Sequence, residues 1–356
     1  MKEFYKNKKV LITGHTGFKG AWLEQILLSF GTEVVGISLA PNTDPSLFNI
    51  LHLKESGKSY FADIRDVDVM RKIFQDEKPE IVFHLAAQPI VRLSYDDPLT
   101  TFSTNVMGTA NILEVIKETK SIRSAIIITT DKVYENKEWH YAYRENDPLG
   151  GHDPYSSSKA AADIVASSYV QSFFNPKDFE VKHNTLIAIA RAGNVIGGGD
   201  WAEYRLIPDI IKGIYHEGED VQIRNPHAVR PWQHVLEPLS GYLMLAEGLY
   251  NKKKELSGVW NFGPNNESFV SVKVLVEGAT RILGKGGYQI VSDVEAKHEA
   301  NLLKLDINKA IAILGWKPKL SFDETLALTF DWYKHYYEKG EDMAEFTGKQ
   351  INSFFE

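Results

Sequence analysis

The chain reads as an α/β protein, a doubly wound parallel sheet with a smaller C-terminal domain interleaved with it. Three observations lead there. Residues 10–20 (VLITGHTGFKG) form an apolar strand that runs into glycines, and apolar residues at helical spacing follow over 21–30. Strand-like and helix-like stretches then alternate as far as residue 190, the pattern of a parallel sheet covered on both faces. Past Arg191 the rhythm breaks into glycine-rich and mixed segments. This is a Rossmann-type arrangement, with residues 1–191 and a return near 233–262 in the sheet domain. Residues 192–232 and 263–340 are assigned to a substrate domain.

Composition narrows the function classes. A chain of 356 residues has room for one large domain and a smaller one. Its net charge of -7 argues against a nucleic-acid partner. It has no cysteine, so disulfides, thiolate metal sites and a cysteine nucleophile are excluded. No histidines stand at zinc-ligand spacing, and no metal is expected. The opening MKEFYKNKK runs directly into the first strand, with no basic-then-apolar leader. No apolar run approaches the ~20 residues of a membrane span. A cytoplasmic protein without a membrane partner is expected.

In the first turn, Gly14 allows the tight bend, Gly17 lets backbone approach a pyrophosphate, and Gly20 lets the helix pack on the strand. The helix N-terminus then offers free N–H groups to an anion. Gly14, Thr16, Gly17, Phe18, Lys19 and Gly20 are therefore expected to line a dinucleotide. The second strand, 33–38, ends on Ser38, where this fold often carries an acidic residue for the adenine ribose. No arginine stands beside it to favour a 2′-phosphate, so NAD is expected rather than NADP. The third strand, 59–63, ends on Asp63 and Ile64, which are placed near the adenine. A helix over 67–75 follows.

The fourth strand, 80–87 (EIVFHLAA), brings Leu85, Ala86 and Ala87 to its C-terminal end, where ligands of open α/β sheets sit. His84 reads as a satisfied core histidine. The loop 88–95 carries Gln88 and Arg92, the latter a structural charge or a substrate contact. A long amphipathic helix over 98–119 holds Asn105, which is placed at the cofactor, needs partners if buried and could bridge neighbouring loops. The fifth strand, 123–130, ends on Thr129 and Thr130, followed by Asp131 and Lys132. The loop 139–154 delivers Tyr155 to a helix over 156–174, and a sixth strand spans 185–190. Beyond lie a short helix at 208–216, mixed strand over 221–235 and a helix at 237–250. A strand at 259–263, a helix at 272–283 and a last helix near 322–337 complete the chain.

Tyr155 and Lys159 stand one turn apart on one helix face. An ammonium beside a phenol lowers its pKa, as does a positively charged nicotinamide, so Tyr155 becomes a general base near neutrality. The same spacing occurs at Tyr5/Lys9 and Tyr250/Lys254 without a supporting loop or helix. Its weight at Tyr155 comes from position, after a strand tipped by Thr130 and Asp131.

The motifs GHTGFKG, HLAAQ, TTDKVYEN, YSSSK, RAGNVIGGGDW, RPWQHV and LGW span residues 10 to about 318. Together they resemble the extended short-chain dehydrogenase/reductases, and among them the nucleotide-sugar 4,6-dehydratases. TTDKVYEN, DPLGGHDPYSSSK, RAGNVIGGGDW and RPWQHVLEPLSGYL are most similar to the branch that acts on CDP-glucose. The resemblance implies bound NAD, oxidation at sugar C4, loss of water across C5–C6 and return of the hydride to C6. It implies a place in deoxysugar synthesis for surface polysaccharide. By the same resemblance Tyr155 takes the C4 hydroxyl proton, Lys159 holds the nicotinamide ribose, Thr130 bonds the C4 hydroxyl and Asp131 protonates the departing C6 hydroxyl. That last role needs a carboxyl that keeps its proton, which burial can supply.

Lys132 stands where the dTDP-glucose enzymes of the family carry Glu. It is either a neutral base at C5 or a cation that stabilises the enolate. Thr129 and Arg191 are placed at the cofactor. Gln88, Asn194, Arg230, Glu299 and Asn301 are placed at the substrate, with Arg230 on the diphosphate, where a guanidinium fork suits phosphate oxygens. The long helices after the fourth strand and at Tyr155 are the family's dimer face, so a homodimer or homotetramer is implied.

Overall fold

A computed structural model describes residues 1–217, 220–223, 225–291 and 302–356. In chain order its first half runs α1 (Lys2–Tyr5), β1 (Lys9–Thr13), α2 (Phe18–Ser29), β2 (Glu33–Ser38), α3 (Leu47–Ile50), α4 (Leu53–Ser56), β3 (Lys58–Phe61), α5 (Val67–Glu77), β4 (Ile81–His84), α6 (Val91–Asp96), α7 (Pro98–Phe102), α8 (Gly108–Glu118), β5 (Ser124–Ile128), α9 (Pro154–Ser172) and β6 (Leu186–Ala192). There follow β7 (Val195–Ile196), α10 (Leu206–Lys212), β8 (Val221–Ile223), β9 (Val229–Pro231), β10 (Gln233–His234), α11 (Leu236–Tyr250), β11 (Gly258–Phe262), β12 (Phe269–Ser271), α12 (Val272–Leu283), β13 (Tyr288–Ile290), α13 (Phe322–Lys334) and α14 (Met343–Phe355).

Among the described residues the main sheet has the order β11-β6-β5-β4-β1-β2-β3. Every neighbouring pair in it is parallel. The apolar runs explain why. β4, β5 and β6 are buried along their whole length, as strands covered on both faces must be. Alternation divides their side chains between two cores. Ile126, Ile128, Ala188 and Ala190 pack with α2 and α11 on one face. Ala125, Ile127, Ile187 and Ile189 pack with α5, α8 and α9 on the other. β1 and β4 lie side by side while their crossovers run to opposite edges, so the sheet's switch point falls there, at the ends of Thr13 and His84. That is where such sheets bind ligands.

Several bounds differ from the sequence reading. The helix expected over 98–119 is interrupted by a π turn at Ser103–Met107, between α7 and α8. The wider turn carries Asn105, which is fully buried. The loop expected at 88–95 contains α6. β6 runs two residues further than expected, so Arg191 is inside a strand rather than beyond it. The C-terminal α14 was not anticipated. It packs on α2, with Phe355 edge-on to Phe30 at 5.2 Å. Its start is marked by Gly340 in the left-handed region and by Asp342, whose carboxylate accepts from the Ala344 and Glu345 N–H groups. No helix among the described residues is long and apolar enough to cross a membrane.

Glu24 on α2 faces the core with both carboxyl oxygens unpartnered. Burial pushes its pKa up to about 8. The folded protein then keeps a proton that the unfolded chain loses, so stability falls as pH rises from the ordinary carboxylate range to about 8. Glu24→Gln removes this ionisation. Thermal melting is expected to be higher than wild type at pH 8 and similar to it near pH 4.

Candidate active site

The first turn is built by close contact. Gly14 has φ +81°, and a Cβ there would lie 2.7 Å from the Ala86 nitrogen. A Cβ on Gly20 would lie 2.1 Å from the Gly14 carbonyl oxygen. At Gly17 an added Cβ would meet only that oxygen, at 3.5 Å, which leaves room for a ligand over the turn. α2 starts there with Gly17 as N-cap and no side-chain cap, so its first N–H groups are offered outward. The turn fits a dinucleotide diphosphate. Phe18 opens α2, and its ring edge would meet a Cβ on Gly197 at 3.2 Å. Thr16 and Ser38 hydroxyls are 2.8 Å apart, and Thr16 also donates to the Leu39 carbonyl. Leu85 N–H donates to the Thr13 carbonyl and Ala86 N–H to the Thr13 hydroxyl, which brings the segment through Ala87 beside the turn. Ile64 is buried against Gly108, where a Cβ would come within 2.5 Å of its Cδ1.

Arg65 binds the partly exposed Asp63 carboxylate through Nε and a terminal nitrogen, at 2.9 and 2.6 Å, and holds it below the usual carboxylate range. One first-half expectation is corrected. The Gln88 side chain is turned into the scaffold, donating to the Thr101 hydroxyl at 2.8 Å and accepting from Ile90 N–H at 2.6 Å. Asn105 does bridge loops, as its burial demands. It accepts from Gln88 N–H at 2.8 Å and donates to the Ser158 hydroxyl at 2.8 Å. His84 is a satisfied core histidine, bonded to Thr13 and Thr109 at 2.7 and 3.0 Å. Burial lowers its pKa to about 3.

The Tyr155 helix begins earlier than the sequence reading placed it. Asp153 caps α9, accepting from Ser156 N–H at 2.9 Å, and Pro154 takes the first helical position. Tyr155 is thereby held in the first turn. Its phenol lies beside Thr130, and Thr130 donates to Asp131 Oδ1 at 2.9 Å. In the protein alone, burial raises the phenol's pKa to about 12, against the Thr130 hydrogen bond and the charge of Arg205. The Lys159 ammonium donates to the Ile128 carbonyl at 2.9 Å, and burial lowers its pKa to about 8. Asp131 is buried, and burial raises its pKa, against Lys132, Thr130 and Arg230. Its Oδ2 lies 3.0 Å from where a Gly193 Cβ would stand, next to Asn194, whose carbonyl accepts from Gln233 N–H.

Thr129 and Arg191 are corrected. The Arg191 guanidinium makes a two-point ion pair with Asp163, both contacts at 2.8 Å, and also donates to the Tyr134 hydroxyl and the Glu145 carbonyl. The Thr129 hydroxyl donates to the same Asp163 at 3.0 Å. These side chains tie β5 and β6 to α9 inside the protein and leave nothing to reach a cofactor. Glu299 and Asn301 lie outside the described residues.

The rest of the cleft is cationic. Burial lowers Lys19 to about 8, and Arg205, Lys159 and Asp131 all act on it. Arg230, on β9, acts on Asp131. Arg205 was missed by the sequence reading. It pairs with Asp200 at 2.9 Å, and its charge reaches Tyr155. It stands in an irregular loop with no motif spacing, so only the fold brings it to the site. The loop's Tyr204 lies under Arg92, 4.8 Å from ring centroid to guanidinium carbon. Several cations around a protonatable carboxyl and a phenol suit an anionic cofactor and an anionic substrate, with proton transfer between them and these groups.

The chain is similar along most of its length to known proteins. The family model described as GDP-mannose 4,6 dehydratase matches residues 11–329. The chain is 47% identical over 353 residues to the CDP-glucose 4,6-dehydratase of Salmonella typhimurium, covering 99% of this chain and 98% of that protein. It is 26% identical to the UDP-glucuronate 4-epimerase of Thermodesulfobacterium geofontis, covering 92% and 97%. Among solved structures it is similar to the UDP-glucuronic acid 4-epimerase of Bacillus cereus in complex with UDP-glucuronic acid and NAD. That match has a TM-score of 0.77 at 26% identity, over 92% of this chain and 100% of that one.

Proposed function

Because this chain belongs to the family described as GDP-mannose 4,6 dehydratase, we propose that it is an NAD-dependent hydro-lyase that converts CDP-glucose to CDP-4-keto-6-deoxyglucose. The observation that carries the substrate is the 47% identity, along almost the whole of both chains, to the Salmonella enzyme. NAD is supported by the Gly14–Gly20 turn, which fits its diphosphate, and by its presence in the similar Bacillus structure. When bound, NAD⁺ would supply the hydride acceptor for sugar C4 and, once reduced, the hydride donor for C6, with the Gly14–Gly20 turn on its diphosphate and Lys159 on its ribose.

Tyr155 accepts the C4 hydroxyl proton. Its phenol is raised by burial, so it acts as a base only with a cation close by. Thr130 orients both Tyr155 and the C4 hydroxyl. Lys159, fixed by the Ile128 carbonyl, holds the cofactor ribose. Asp131, kept toward its protonated form by burial, gives its proton to the C6 hydroxyl as it leaves. Lys132 acts at C5, where the adjacent ketone has acidified the C–H, as base or as enolate stabiliser. Arg230 and Arg205 hold the diphosphate, and Asn194 borders it. The buried Thr130–Asp131 pair favours elimination over epimerisation, which needs no acid at C6.

The test is a panel of CDP-, dTDP-, UDP- and GDP-hexoses with NAD, read by mass spectrometry for loss of one water. CDP-glucose is expected to react and the others to lag. Equal or faster loss from another nucleotide sugar would overturn the substrate, and no loss from any would overturn the reaction.

Assembly is part of the same proposal. Leu99, Met107 and Ile164 on α7, the following π turn and α9 are 80, 57 and 57% exposed. An apolar face of that kind supports pairing of two copies through these helices, as a homodimer or as half of a homotetramer. Light scattering is expected to give at least twice the chain mass, and a monomer at micromolar concentration would exclude this.

A further inference from the structure

We propose that α6 is a closure element for the cleft, with Arg92 and Tyr204 as its clasp and Ser94 as a positioning residue for Tyr155. The proposal rests on the dehydratase reading for the role of Tyr155, while the clasp itself rests on geometry. The two ends of the clasp come from segments far apart in the chain. Arg92 lies on α6, just past the C-terminal end of β4. Tyr204 lies between β7 and α10, in the part of the chain that leaves the main sheet.

The Arg92 guanidinium carbon is 4.8 Å from the centroid of the Tyr204 ring, within the range of a cation–π contact. Tyr204 has φ +62°, a left-handed conformation that residues with side chains rarely adopt. Its ring is half exposed, so core packing does not hold it there. In this conformation the ring meets Arg92. The next residue, Arg205, pairs with Asp200 at 2.9 Å and its charge reaches Tyr155.

The other side of α6 is fastened to the base. Ser94 is fully buried; its hydroxyl donates to the Val91 carbonyl at 2.6 Å and accepts from Tyr155 N–H at 3.1 Å. That N–H belongs to the first turn of α9, where the helix provides no acceptor. One short helix therefore holds the loop with Arg205 through Arg92 and the residue with the base through Ser94. The sugar must stay bound through three successive steps, two of them as a 4-keto species, and a cleft closed by α6 keeps it there while Tyr155 stays in register.

The clasp is tested without any ligand. Trypsin cleavage after Arg205, followed by mass spectrometry, is expected to be two- to fivefold faster in Arg92→Leu and in Tyr204→Leu. The double variant should be no faster than either single one, since both break one contact, and Tyr204→Phe should match wild type. Unchanged single variants, or effects that multiply in the double, would overturn the clasp. With CDP-glucose, the clasp variants are expected to raise KM by a similar factor. Ser94→Ala should instead lower kcat, leave KM unchanged and leave cleavage after Arg205 unchanged. Equal changes in kcat and KM for Ser94→Ala, or none, would overturn the positioning role. A wild-type protein that removes no water from CDP-glucose would overturn the functional reading, while the proteolysis result still decides the clasp.

Discussion

Tyr155→Phe is expected to fold normally and to lower turnover of CDP-glucose by about 10²–10⁴-fold, the contribution of a general base. The substitution removes one oxygen from a ring whose position is set by other groups: Asp153 caps its helix and Ser94 accepts its backbone N–H. The loss should therefore fall on kcat, with binding of CDP-glucose little changed. Wild type also carries a signature in pH. The phenol must be deprotonated to act, and burial holds its pKa up, to about 12 before any cofactor charge is added. Below the phenol's titration, kcat/KM should thus rise with pH, and this limb should vanish in the Phe variant. Mass-spectrometric product formation across pH reads both effects. Retention of more than about a tenth of wild-type turnover would remove Tyr155 from the role of base.

The largest stability effect is expected at Asp163→Ala. Asp163 is fully buried and Arg191 nearly so, and two contacts of 2.8 Å join them. Removing the carboxylate leaves a guanidinium without a counter-charge inside the protein, which costs about 3–5 kcal/mol. It also removes the acceptor for the Thr129 hydroxyl, at the end of the strand that leads to Thr130 and Asp131. The urea midpoint should fall accordingly, and residual activity should drop with it. A loss under about 1 kcal/mol, the size of an exposed ion pair, would show that the pair is reached by water.

Local signals made much of the frame legible. β2 and α12 have the bounds read from the sequence, because each is an apolar run with strong signals at both ends. The glycine turn, the strand tip at Thr130 and the Tyr155–Lys159 pair were readable for the same reason: each is a short pattern whose chemistry requires a fixed spacing. Asn105 was legible as a bridge, because a polar amide in an amphipathic helix must find partners. Arg191 and Thr129 were misassigned because their partner is Asp163, 28 and 34 residues away on a different element. Gln88 was misassigned because its side chain is taken up by Thr101 and the Ile90 N–H, groups that no local pattern pairs with it. Arg205 has no pattern at all.

By itself the sequence determined the architecture, the cofactor turn and the set of groups able to move protons, since hydrophobic period and motif spacing are local properties of the chain. Tertiary structure alone decided their ionisation and their company. Burial, which no local pattern states, raised the phenol of Tyr155 and the carboxyl of Asp131 and lowered Lys159 and Lys19. The meeting of distant segments also turned Arg191 inward to Asp163 and set Arg92 over Tyr204. Desolvation and long-range contact depend on which distant segments meet, and that is fixed only when the chain has folded.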